Sequence, residues 1–527
     1  MFTVGTMQNQ CNSQRSSTRA AASARNIVKM TVTPLWLFAD QLGPHFHRTE
    51  QHRDREVLLV ESTAALARHR YHRQKLHLVL SGLRHLKEEL GDRATLIRAR
   101  TYREALREFR RQVVVHEPNS HAAEELVLSL QREGLVEAVL PTPAFALPRR
   151  EFAEWADGRR RFLMEDFYRH QRHRFEILLE PDGGPAGGRW NFDQENRQQP
   201  PRAAAELGAP EPWMPTEDDI DREVRADLDT RQQRGELHPI GNDRPRLFPV
   251  TSEEAEAAEQ RFLDQRLPWF GPYQDAMLDE DWAMAHALLS VPLNLGLLDP
   301  LELVRGAEHR YRSEHAPLAS VEGFVRQVLG WREYVWHLYW WFGKPYLHRN
   351  ALRARNKLPK WWSELDGERI EAECLKTAIN GVRDRGWAHH IQRLMILGNH
   401  GLQREYRPSA LNEWFSTAFV DGAPWVMPVN VIGMSQHADG GLVATKPYAA
   451  GGAYINRMSD HCKRCPFDPR TRTGEHACPF TAGYWAWLHR KAGDLADNHR
   501  MRQPIATMRK LADVEEIAAQ ESRRRRF

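Results

Sequence analysis

Four of the chain's five cysteines form an array that ties distant stretches of sequence together. Cys462, Cys465 and Cys478 stand as Cys-x2-Cys-x12-Cys, and Cys374 lies 88 positions before the first of them. A fold that gathers these four must bring the segment around Cys374 back onto the C-terminal region. Pro follows both Cys465 and Cys478, as at loops that end on a thiolate ligand of an iron-sulfur cluster. Zinc also accepts four thiolates, but its structural sites more often pair two short Cys-x-x-Cys knuckles, and here the fourth cysteine is lone and distant. Spacing alone leaves three readings open, in falling order: an iron-sulfur cluster, zinc, and unliganded thiols. Disulfides are the weakest reading, because no secretory signal stands out and the chain reads as cytoplasmic.

A chain of 527 residues exceeds what one core usually serves, so two or three domains are expected. Hydrophobic residues make up 41%, and no apolar stretch approaches the length of a membrane span, so no membrane partner is expected. Net charge is only +4, which suits a polyanionic partner without requiring one. Residues 1–30, rich in Ser, Arg, Gln and Ala, read as a disordered tail, with Cys11 inside it.

Short β-rich runs start at Leu35, Glu56, Thr95, Val113 and Val136, and helical stretches such as Ala64 to Leu90 and Ala122 to Glu133 alternate with them. This predicts a parallel, Rossmann-like sheet wrapped by helices over residues 31–165. Ligands of such sheets sit beyond the carboxyl ends of the strands, which makes Asp40, Gln41 and Leu42, after the first strand, candidate contacts; an ordinary turn is the plain alternative. Neither G-x-G-x-x-G nor G-x-x-x-x-G-K-[ST] occurs. Residues 166–255 shift to Gly, Pro, Gln, Asp and Arg and read as an interdomain linker. From 256 to 515 the period becomes helical and tryptophan-rich, and residues 516–527 read as a basic, solvated tail.

The segments VNVIGMSQHADGG (429–441) and TKPYAAGGAYINRMSD (445–460), with the cysteine array, are unlike generic helix filler. Together with LFADQL, LSGLRHL, FGPYQDAM, LLSVPLNLGLL and RQVLGWREYVW they closely resemble the bacterial iron-sulfur (6-4) photolyases, over nearly the whole chain from residue 33. The resemblance implies an α/β antenna domain and a mostly helical FAD-binding domain. It also implies light-driven repair of (6-4) photoproducts, with a monomer acting on UV-damaged DNA. Three cofactors follow from it: FAD, a 4Fe-4S cluster on Cys374, Cys462, Cys465 and Cys478, and a 6,7-dimethyl-8-ribityllumazine antenna. The alternative is a blue-light photoreceptor on the same scaffold.

On that resemblance Tyr273, Ser290, Asn294, Arg332, Glu333, Asp421 and Asn430 fall in the flavin pocket, and Trp414 at the flavin-proximal donor of a tryptophan relay. Phe415 follows where relatives can carry Tyr, so hopping here needs another aromatic. Opening the adduct needs a proton donor, and histidine is the natural one. His389 and His390 are expected on one helix, pointing about 100° apart, so only one faces a given pocket, and the resemblance picks His390. The antenna would use Asp40, Gln41 and Leu42, with Glu61 as a further contact.

Overall fold

The computed structural model describes residues 32–159, 161–201 and 205–527, and those from Thr33 to Phe527 fall in one compact unit. The tail expected over residues 1–30 lies outside the described residues. Five parallel strands, β1 (Leu35–Leu37), β2 (Val57–Ser62), β3 (Ala94–Ala99), β4 (Val113–His116) and β5 (Val136–Leu140), pair in the order β3-β2-β1-β4-β5. All residues of the central strands β1, β2 and β4 are buried, because helices cover both faces of the sheet and leave no polar side to alternate with. Trp36, Leu58 and Val115 pack on one face against Leu106 and Leu130. Leu35, Leu59 and Val114 on the other face join a core that continues into the helical region through Phe248, Leu297 and Trp336. The strand order reverses between β1 and β4, so the crevice at their carboxyl ends is the topological switch point, and the Phe38–Leu42 loop sits there.

The interval expected to be a linker is not simply one. Residues 219–233 form the helix Asp219–Gln233, opened by a capping box between Asp218 and Asp221. Its Val224 and Leu228 are buried against Leu76 and Leu80 of the helix Arg73–Leu90, and Arg246 joins Asp221 and Glu254 beneath it. One apolar stripe among many charges was too narrow to stand out from the polar composition. The basic C-terminal segment is docked rather than solvated. The helix Val514–Arg523 buries Ile517 against Ala482 and Ala486, Arg526 chelates Glu371 at 2.6 and 2.8 Å, and the Phe527 ring lies 5.2 Å from that of His400. Charged neighbours masked its single apolar stripe in the sequence.

Among the described residues no helix is long and apolar enough to cross a membrane. Four π-helical stretches interrupt the helical region, at Phe262–Arg266, Arg326–Arg332, Gln392–Gly398 and Val429–Ser435. Such widened turns re-aim side chains and recur at functional sites. The last three of them feed side chains into one cavity.

Candidate functional site

That cavity encloses about 300 Å³ and is walled by residues 286–294, 324–335, 387–393 and 421–430, with Phe270 and Gln274. Ser290, Asn294, Arg332, His390, Asp421 and Asn430 all line it, so the fold brings together six residues singled out from the sequence. Their mutual contacts centre on Asp421. Arg393 grips its carboxylate bidentately at 2.9 and 3.0 Å, Ser290 Oγ donates to it at 2.8 Å, and Asn294 Nδ2 donates to its backbone carbonyl at 3.0 Å. Asn430 donates Nδ2 to Val426 O, which leaves its amide oxygen as the acceptor for whatever fills the space.

Arg332 forms another part of the wall. Its guanidinium donates to Ala144 O and Leu293 O and lies 4.2 Å from the centre of the Phe145 ring. Burial lowers its pKa to about 10, so the cation persists at neutral pH. Glu333 does not reach the cavity. Its carboxylate accepts the backbone N–H groups of Ala146 and Leu147, and burial raises it to about 7. It therefore fastens the strap after β5 to the helical region. Tyr273 is also absent from the wall, packing instead with Leu207, Ala276 and Met284.

The two adjacent histidines separate as expected, but not because they share a helix. Residues 387–389 are irregular and the helix begins at His390. His390 is 53% exposed, opening into the cavity, with Nε2 3.8 Å from Asp275 Oδ1. Burial lowers the imidazole and raises the Asp275 carboxyl, while the attraction between the two opposes both shifts. His389 is fully buried, stacks on His286 at 4.7 Å, and is held neutral by burial. Arg393, Asp275, His286 and Trp387 escaped the sequence reading. Only Arg393 left a local trace, as a charged residue in an otherwise apolar helical run.

Trp414 does not line the cavity either. Its ring lies 5.7 Å from Phe419, over which Arg393 sits at 4.4 Å, and 5.2 Å from Trp362, itself 5.6 Å from the half-buried Trp361. An aromatic file thus leads away from the cavity wall without any contribution from a residue-415 tyrosine.

Cys374 in the first turn of the helix Glu373–Arg385, Cys462, Cys465 and Cys478 all border one hydrophobic cluster with Trp362 and Trp414. Among the described residues the one trio of His, Cys, Asp or Glu ligand atoms mutually within 4.8 Å is His85, Asp218 and Asp221, so no three of these sulfurs come that close. A single tetrahedral ion with bonds of about 2.3 Å would hold its sulfurs about 3.8 Å apart. No three of the four sulfurs are drawn that close together here. Gly452 keeps space beside them, since a Cβ there would lie 2.7 Å from Cys478 Sγ. Burial and mutual repulsion push the Cys462 thiol up to about 12, and burial raises Cys374 and Cys478 as well.

At the sheet's carboxyl edge, Asp40 accepts from Asn119 at 3.2 Å. Gln41 spends its side chain on Phe38 N and Glu117 O, and Leu42 is buried in the core. Glu61 is enclosed by Arg84 at 2.8 Å, Arg98 at 3.4 Å and Arg231 at 3.5 Å. Gly296 lets the loop lean on the cavity-forming segment: at φ 70°, a Cβ there would meet Asp40 O at 2.7 Å.

Residues 35–240 match the model of the deoxyribodipyrimidine photo-lyase-related protein family. Over 500 residues the chain is 36% identical to a (6-4) photolyase of Agrobacterium fabrum, covering 90% of this chain and 95% of that protein. The chain belongs to the (6-4) photolyase family. Among solved structures, a Synechocystis cryptochrome overlays with a TM-score of 0.50 at 12% identity, covering 91% of this chain and 98% of that one. A bacterial class III photolyase from Agrobacterium tumefaciens overlays with a TM-score of 0.48 at 17% identity, covering 79% of this chain and 81% of that one. The cryptochrome overlay shares the fold seen here, a parallel sheet followed by a helical region. In this photolyase the cavity described above lies wholly within the helical region.

Proposed function

We propose that this photolyase repairs (6-4) pyrimidine-pyrimidone photoproducts in UV-damaged DNA, using light, a reduced FAD in the helical cavity, and His390 as proton donor. The observation that carries this reading is one cavity wall that offers a half-open histidine backed by a carboxylate, together with the Arg393–Asp421 clamp. The wall fits a flavin: it pairs apolar surface for a ring with the Asn430 amide oxygen, the Ser290 and Asn294 polar groups, and the buried Arg332 cation, whose Nε has no partner. When bound, the photoexcited reduced flavin supplies the electron that starts bond cleavage in the lesion.

The protein's own groups do the rest. His390 donates a proton to the hydroxyl that must leave one pyrimidine and return to the other, and Asp275 favours the protonated imidazole that this step requires. The Arg393–Asp421 clamp and Arg332 hold charge close to where it develops. Phosphate contacts from arginines and lysines would supply DNA affinity, and the damaged dinucleotide would be extruded into the cavity.

The four cysteines would hold a 4Fe-4S cluster: the Cys-x2-Cys-x12-Cys array with Pro after Cys465 and Cys478 supports it over zinc, and Gly452 keeps space beside Cys478 Sγ. The ring file Trp414, Trp362, Trp361 would carry electrons from the surface toward the cavity. A ribityllumazine antenna at the sheet edge would meet Asp40 first, since ion pairs engage Glu61 and the core holds Leu42. We place the antenna function on residues 31–165 and the flavin and cluster on 256–515, in a cytoplasmic monomer. The test is illumination of the reduced protein with an oligonucleotide carrying one (6-4) lesion. Restored pyrimidines, lost in His390→Ala with lesion binding retained, are expected; undiminished turnover in that variant would sink the assignment.

A further inference from the structure

Lys75 belongs to the first turn of the helix Arg73–Leu90, which covers the sheet, yet its side chain reaches into the helical region. Its Nζ donates to Ser416 O at 2.7 Å, to Phe419 O at 3.3 Å and to Gly422 O. Three residues earlier, the backbone N–H of His72 donates to Thr417 O at 2.9 Å. These carbonyls end the helix Pro408–Ala418 and form the turn behind it. The last carbonyls of a helix have no partner within it, and a cation is favoured at that end. The turn is tight, with a Cβ at Gly422 placed only 2.6 Å from Phe415 O. Three oxygens converging on one ammonium match the three N–H donors of lysine, a geometry that arginine's planar fork does not reproduce.

Asp421 stands inside this turn, between Phe419 and Gly422. Its carboxylate is the one that Arg393 and Ser290 hold at the cavity wall, and its charge partly offsets the burial that lowers Lys75 to about 8. We propose that Lys75 is a positioning residue for the cavity: by closing the 416–422 turn it presents Asp421 to Arg393 and Ser290. The affinity of the cavity for its flavin would then depend on a side chain from the α/β region. This rests on the flavin reading above.

The test is a double-mutant cycle on the full chain, read by hydrogen exchange and by FAD titration. Lys75→Met is expected to speed exchange at residues 419–422 while β1–β5 keep their protection. It should weaken FAD binding about tenfold, the size of one lost charge-assisted hydrogen bond. In an Asp421→Asn background the same change should weaken binding by less than about twofold, because the group it positions is already altered. Equal losses in both backgrounds, or unchanged exchange at the turn, would overturn the proposal. Should Lys75→Met not fold, Lys75→Gln keeps donors at the site and should show intermediate exchange confined to the turn. Loss of protection throughout the sheet in that variant would make Lys75 a general structural prop and also overturn it. If the unaltered chain takes up no FAD, the flavin reading fails, while exchange at the turn still decides the role of Lys75.

Discussion

Arg393 and Asp421 hold each other across the cavity wall with side chains only 18% and 6% exposed, so each keeps the other from being an unpaired charge in a poorly hydrated place. Removing one partner of such a pair costs about 3–5 kcal/mol, most of it the penalty on the charge left behind. Arg393→Met strands Asp421, although the Ser290 hydroxyl and nearby Lys75 still answer part of its charge, which places the loss near the lower bound at about 3 kcal/mol. Asp421→Leu strands Arg393, which keeps a hydrogen bond to Ala388 O and its position over the Phe419 ring. The double variant buries no unanswered charge from the pair and should recover at least about 2 kcal/mol relative to the sum of the singles. FAD retention, by contrast, should stay lost in all three variants, because an apolar pair of similar volume restores packing and not the polar wall. Urea denaturation monitored by tryptophan emission, with flavin content of the purified protein, measures both quantities. Two single effects that add within about 0.5 kcal/mol, or a double variant that regains its flavin, would refute the argument that this pair is kept for the cavity and not for stability.

Gly452→Ala puts a methyl 2.7 Å from Cys478 Sγ, so iron and acid-labile sulfide per chain should drop, as they should in Cys465→Ala, and a fully loaded Gly452→Ala protein would count against the cluster assignment. Glu333 titrates in the folded protein near 7 rather than at its ordinary 4.5, because burial disfavours its charge. Folded chains therefore bind more protons than unfolded ones between these values, and stability falls as pH rises from about 4.5 to 7. Glu333→Gln should remove that slope, worth at most about 3 kcal/mol, in denaturation curves compared at pH 5 and 8; parallel pH profiles for the two proteins would contradict it.

Apolar β-branched runs bounded by turns located the five strands, since a strand buried on both faces needs no partner information to be recognised in the sequence. Spacing likewise drew attention to the cysteines, and resemblance to Ser290, Asn294, Arg332, Asp421, Asn430 and His390 at the wall. Tyr273 and Glu333 carry the same kind of signal and lie elsewhere, because a neighbour in sequence to a pocket residue can point into the core or across to another segment. The helix inside the polar stretch and the docked C-terminal segment were hidden for a different reason: a single apolar stripe is diluted by the charges that face water. Asp275 behind His390, the Arg393 grip on Asp421, and Lys75 reaching across from the sheet-covering helix exist only once segments well separated along the chain have packed. Local periodicity records which face of an element is buried, but not which distant charge will meet it, so tertiary packing alone decided the electrostatics of the cavity.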